Sequence, residues 1–268
     1  MAYRRVLASF GFCALLLTIG SVERSGAHPR SSVDTGTFAL VISFTPGERF
    51  VEHANTVDRI DWKMPRERLE AFASQGMVIN EEIRTTTVAN ARVLSVDAHS
   101  ARISADALTT VHDVPRRNVV TTRSSGISAV TARNAQVGAT RYALEDAPMV
   151  DLPAAPVRLG STWTTRVPVT TTLGSGTVDF THTVASIDRG VLRIDVDGSG
   201  QITGKEYNLP HLLPGSIALR GSAWFDTRDG LIIQESYRID NTLVKPAGAT
   251  QLGFVEHMDA DTDVYVQR

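Results

Sequence analysis

The sequence predicts a mainly β protein, a large curved antiparallel sheet or half-barrel meander with one short helix. Three observations predict it. Apolar and polar residues alternate in run after run beyond residue 36, and turn residues separate the runs at short intervals. Only Met64 to Gly76 carries a helical spacing.

Taken in order, Thr37 to Phe44 reads as a first strand with Phe38, Leu40, Ile42 and Phe44 on one face, closed by Pro46-Gly47. Arg49 to Lys63 reads as its antiparallel return, with Val51, Val57, Ile60 and Trp62 as apolar positions. In the helix, Pro65 suits the first helical position, Leu69, Phe72 and Ala73 share a side, and Gly76 is placed to end it. At little more than three turns it needs packing against the sheet. Ile83 to Val96 and Ala101 to Val111 flank a polar turn at Asp97 to Ser100. Residues 115 to 138 are polar and weakly patterned, an edge strand or a loop, and Pro148, Pro153 and Pro156 mark a crossover.

The second half is patterned more clearly. Ser161 to Leu173 turns at Gly174-Ser175-Gly176 and returns through Val178, Phe180, His182 and Val184. Asp188-Arg189-Gly190 leads into Val191 to Tyr207, and a loop over Leu209 to Gly215 delivers the chain to a hairpin over Ser216 to Asp240. Its Asp229-Gly230 turn is a strong hairpin signal, and Ile217, Leu219, Gly221, Ala223 and Phe225 share one face. Leu252 to Val266 forms the last strand.

Arg4 and Arg5, an apolar run from Val6 to Ile19 and Ser25-Gly26-Ala27 have the order of a secretory leader cleaved before His28. The expected organisation is residues 1–27 as signal peptide and 28–268 as a single β-rich domain, in which 37–147 and 156–268 are candidate related halves. Thr87-Val88-Ala89 before Ala101-Arg102-Ile103 echoes Thr183-Val184-Ala185 before Leu192-Arg193-Ile194. Cleavage removes Arg4, Arg5, Arg24 and Glu23, taking the formal charge from −2 to −4, and it removes Cys13, the sole cysteine. The mature chain then has no disulfide, thiolate metal site or cysteine nucleophile. A mildly acidic chain without a basic stripe argues against nucleic acid as partner. The apolar stretches are too short for a transmembrane helix, so a periplasmic or extracellular protein is expected. Nothing in the sequence specifies the oligomeric state.

The sharpest local motif is Asp195 to Glu206. Asp195, Asp197, Ser199, Gln201, Thr203 and Glu206 match the ligand positions of a calcium loop, with Gly200 at its sharp turn. A helical calcium hand also needs flanking helices, whereas Asp188 to Gly190 is a turn and Pro210 and Pro214 break an exiting helix. Alternation runs unbroken from Leu192 to Lys205, which favours an amphipathic strand. On that strand Gly198, Gly200 and Gly204 fall on the apolar face, as Gly221 does on the next. Interior glycines mark either a bend or a close approach of something to the backbone. His257, Asp259, Asp261 and Asp263 share one face of the last strand, but alternate residues lie about 7 Å apart, too far to share one ion unaided. That face reads as solvated charge that discourages edge pairing. His182, on an apolar face, reads as a satisfied semi-buried residue. No serine-hydrolase elbow, phosphate loop or dinucleotide fingerprint is present.

Pro156-Val157-Arg158-Leu159-Gly160-Ser161-Thr162-Trp163, with Gly221-Ser222-Ala223-Trp224-Phe225-Asp226 and Gly230, resembles exported bacterial β-rich domains of unknown function. Some of these are related in architecture to half-barrel lipoprotein and lipid carriers. The resemblance spans about residues 150–240, implies a curved antiparallel sheet outside the cytoplasmic membrane, and brings no catalytic residues. The expected function is that of an exported non-enzymatic protein with a concave apolar face for a hydrophobic small molecule, a lipid or a partner protein. Gly198, Gly200, Gly204, Gly221 and Trp163 would line that groove. The alternatives are a calcium-stabilised module using Asp195 to Glu206, with calcium as the one cofactor, and a hydrolase with a dispersed site.

Overall fold

The computed structural model describes residues 36–134, 142–143, 150–170, 174–205, 212–244 and 253–267. The signal-peptide reading, Pro148 and Glu206 lie outside them. The described chain is mainly β, a curved open sheet with one short helix. Its strands are β1 (Arg49–Lys63), β2 (Asn80–Val96), β3 (Ser100–Asp113), β4 (Asn118–Thr131), β5 (Tyr142–Ala143), β6 (Thr162–Thr170), β7 (Ser175–Asp188), β8 (Val191–Lys205), β9 (Leu212–Asp226), β10 (Leu231–Val244) and β11 (Gly253–Gln267). The helix, α1, spans Arg66–Ser74.

The order across the sheet is β4-β3-β2-β1-β11-β10-β9-β8-β7-β6-β5. Neighbouring strands are antiparallel, except that β5 runs parallel to β6 over two residue pairs. The topology is thus two meanders sharing a seam, where the first strand pairs with the last along their whole length, from Arg49↔Gln267 to Lys63↔Gly253. We call β1–β4 the N-terminal wing and β6–β10 the C-terminal wing, with β11 between them.

Strand register explains the curvature. Bulges interrupt the ladder at Val93/Ser95, Val184/Ser186 and Ile232/Gln234. All three lie beside hairpin turns at the same end of the sheet, and each adds twist and bend to its strand. At that end the chain is stitched across. Leu152 N donates to Arg133 O at 3.1 Å and Arg133 Nε returns a bond to Leu152 O at 2.7 Å, joining the segment after β4 to the one before β6. Residues 36–44 add to this stitching, bonded to Val157 through both backbone groups of Phe38, to Ala132 O through Ile42 N and to Gly230 O through Ser43 N. Leu40, Ile42, Phe50, Val150 and Leu152 thereby pack with Val93, Ile103, Val130, Phe225 and Ile232 in one apolar cluster drawn from both wings.

Several expectations are corrected here. Residues 37–44 form an extended strap with a single β-bridge, Phe38↔Val157, because their partners are scattered over several elements. Arg49–Lys63 is not the return of that strap; it pairs with β2 and β11. Its buried side carries Phe50, Glu52 and Asp58, so Val51 and Val57 belong to the opposite face. The last strand sits in the middle of the sheet rather than at an edge, with its charges answered across strands, as by Arg59 Nη1 on Asp259 Oδ2 at 3.5 Å. Pro65 is the helix N-cap, one residue earlier than expected, while Gly76, at φ +75°, ends the helix. The helix buries no residue. β9 begins at Leu212, inside the span read as a loop.

The two clearest turn signals hold. Arg189 and Gly190 both have positive φ, as a two-residue type I′ hairpin requires. Gly230, at φ +66°, closes the β9–β10 turn by donating to Asp226 O at 2.8 Å.

Candidate functional site

Following the register across the sheet reveals a division of the buried face. In the C-terminal wing the inward positions are filled by Val178, Phe180, Ile194, Ile217 and Leu219, each at most 2% exposed. Gly198 is part of this filling. A Cβ there would stand 2.9 Å from the Phe180 ring and 3.2 Å from Leu219 Cβ. A Cβ on Gly200 would run into the backbone of Thr177 in β7, and one on Gly221 would lie 2.5 Å from Ser236 O and from Tyr237 Cβ. Gly204 is buried in the same strand. These glycines let neighbouring strands and side chains close in on one another. Trp163 stacks on His182 with ring centroids 4.9 Å apart and planes 6° apart, and its Nε1 donates to Asp151 O at 2.8 Å. His182 is fully buried beneath it.

Of the calcium-motif residues, Asp195, Asp197, Ser199, Gln201 and Thr203 lie in the continuous strand β8. Asp195 receives Arg193 Nε at 2.8 Å and Ser222 Oγ at 2.8 Å, and the Arg193 guanidinium holds its carboxyl below the ordinary carboxylate range. Arg220 Nε lies 3.5 Å from Asp197 Oδ1. Ser199, Gln201 and Thr203 are exposed along the same outer side. With β9–β11 this side forms an open groove of about 640 Å³ bordered by Arg193, Asp195, Arg220, Trp224, Arg238 and Asp261. Its charges answer one another, and exposed pairs of this kind contribute little, about 0–1 kcal/mol each. Among the described residues, no group of three or more His, Cys, Asp or Glu is arranged to hold a metal ion.

The N-terminal wing presents a different inner surface. One row runs Ala223–Glu235–Thr262–Ala54–Thr87–Thr109–Thr122 across seven strands, and the next runs Val264–Glu52–Ala89–Ala107–Ser124. Small and hydroxyl side chains leave space above themselves. Thr56, Thr85, Thr87, Ala107, Thr109 and Ser124 accordingly remain partly exposed on the side that the other wing fills. Thr87 and Thr109 share a hydroxyl hydrogen bond of 3.1 Å. Ile60, Trp62, Tyr237 and Met258, partly buried against the core, supply apolar surface at the margins. The result is an amphipathic, partly exposed strip of the inner face over β11 and the N-terminal wing, which we call the trough.

Its charge is one-sided. The inward strand positions of β1, β2, β3, β10 and β11 carry Glu52, Asp58, Glu81, Asp113, Glu235 and Glu256, and no lysine or arginine. At the rim, Arg116 from the β3–β4 turn answers Asp113 at 2.7 Å and Glu81 at 3.6 Å. Glu256 accepts a 2.9 Å hydrogen bond from Asn241 Nδ2, both side chains being buried. Glu235 is 7% exposed, and burial pushes its carboxyl up to about 7. The period-two pattern of β10, Glu235-x-Tyr237-x-Ile239-x-Asn241-x-Leu243, places a carboxyl and an amide on an apolar strand face. That irregularity is the sequence signal for this site, and its meaning depends on which strands stand opposite.

No helix among the described residues is long and apolar enough to cross a membrane. No family model matches the chain, and no curated protein matches it. Among solved structures, an acetoacetate decarboxylase-like enzyme from Sphingomonas wittichii RW1 aligns with 84% of this chain and 94% of its own, at 8% identity and a TM-score of 0.11. At that score the alignment carries no argument about fold or activity.

Proposed function

We propose that this is an exported binding protein that holds an apolar or amphipathic small molecule against the inner face of its sheet, over the N-terminal wing. The observation that carries the reading is the division of that face. Phe180, Ile194 and Leu219 fill one side, while Thr85, Thr87, Ala107 and Thr109 at equivalent inward positions stay partly exposed. Binding sites are concave, largely preformed and mixed in this way, with apolar walls and a few placed polar groups. Export rests on the leader-like start of the sequence, and a non-enzymatic role on the lack of any catalytic arrangement that the motifs would suggest.

The test is a titration of the mature protein with the neutral fluorescent probe N-phenyl-1-naphthylamine. Saturable fluorescence enhancement with a stoichiometry near one is the expected result. No enhancement with correctly folded protein would overturn the reading.

A further inference from the structure

Deepening the binding reading above, we infer that the inner trough takes an organic cation, an amine whose ammonium group meets Glu235 and whose apolar part lies toward Tyr237 and Met258. Glu235 is the observation that points to a ligand. Its side chain is more than nine-tenths buried and faces the inner row between Ala223 and Thr262. No described residue donates a hydrogen bond to it or forms an ion pair with it. Buried carboxyl groups are ordinarily paired, since burying an unanswered charge is costly. Here the fold leaves the partner position to something else.

Charge complementarity selects the partner. Glu52, two residues from Ala54 in the Glu235 row, is buried on the same face, and Asp58 lies further along the same strand. An anion brought into the trough would meet carboxyl groups with no cationic side chain at the inward strand positions to receive it. A neutral ligand would leave Glu235 as it is. An ammonium group supplies up to three donors to Glu235 and to the Thr262 hydroxyl beside it, and it restores the compensated state that buried charges normally have.

The experiment compares three single-chain amphiphiles of equal length below their micellar concentrations at pH 8: dodecylammonium, dodecyl maltoside and dodecyl sulfate. Each is measured by displacement of N-phenyl-1-naphthylamine from the wild-type protein and from Glu235→Gln. The cation is expected to bind at least tenfold more tightly than the neutral amphiphile, and the anion least. Glu235→Gln is expected to remove most of the cation's advantage while leaving the neutral amphiphile within about twofold. Equal affinity for the cation and the neutral amphiphile in the wild type would overturn the inference and leave the binding reading standing. Failure of the probe itself to bind would overturn the binding reading first. Retained cation preference in a folded Glu235→Gln protein would also overturn the assignment, because the selectivity would then come from elsewhere.

Discussion

The two wings are built from the same antiparallel ladder, with strands of similar length and bulges beside turns at the same end, yet their inward side chains do opposite things. In the C-terminal wing Phe180 sits over Gly198, with Leu219 beside it, so a missing side chain on one strand is matched by a large one on the next. In the N-terminal wing, beyond the packed end at Val93, Ile103 and Val130, Thr87, Thr109 and Thr122 face one another across β2, β3 and β4 with no large residue among them, and all three keep exposed surface. Complementary sizes fill a curved sheet, whereas uniformly small ones leave a hollow. The buried carboxylates gather instead where the two wings meet. The buried inward carboxylates Glu52, Asp58, Glu235 and Glu256 all lie on β1, β10 and β11, at and around the hollow.

Truncating one side chain on each wing should separate the two most clearly. Phe180→Ala should lose about 4 kcal/mol of unfolding free energy, because the cavity lies in a fully packed layer. Thr109→Ala should cost under about 1 kcal/mol, being partly exposed already and giving up one hydroxyl hydrogen bond to Thr87. Chemical denaturation of the two variants measures both; similar losses would mean that the wings are packed alike.

A smaller effect is expected at Glu235, and it depends on pH. The carboxyl is raised from 4.5 to about 7 in the folded protein, so between those values the folded state keeps a proton that the unfolded chain has released. Its contribution to stability is intact at low pH and falls as pH rises through the window, by about 3 kcal/mol in all. Glu235→Gln holds the neutral form at every pH. It should match the wild type near pH 4.5 and exceed it above pH 7 in denaturant titrations run across that range. A parallel dependence in both proteins would show that Glu235 is not the group responsible.

Much of the fold could be read from local pattern. The hairpin over Ser216 to Asp240, the turn at Asp188-Arg189-Gly190 and the inward set Val178, Phe180, His182 and Val184 follow from period-two alternation and turn chemistry, which are properties of adjacent residues. The pairing of β1 with β11 was not legible, because it joins residues about 200 positions apart and depends on where every intervening turn sends the chain. That pairing decides the site, since it sets Glu235 and Thr262 beside Ala54 and Thr87. The calcium-like spacing at Asp195, Asp197 and Ser199 shows the converse problem. Ligand positions recurring every second residue share their period with a strand face, and the structure has that segment as a strand with Arg193 and Ser222 on Asp195.

If the N-terminal wing keeps an unfilled inner surface that binds a ligand, filling that surface should abolish binding without unfolding the protein. Ala107 lies between Ala89 and Ser124 on the inner face and is partly exposed. The measurement is probe binding and unfolding free energy of Ala107→Trp beside the wild type. Stability within about 1 kcal/mol of wild type is expected, since the ring enters existing space rather than a packed core, together with loss of N-phenyl-1-naphthylamine binding. Strong destabilisation would show that there is no such space, and unchanged binding in a stable variant would place the ligand somewhere else.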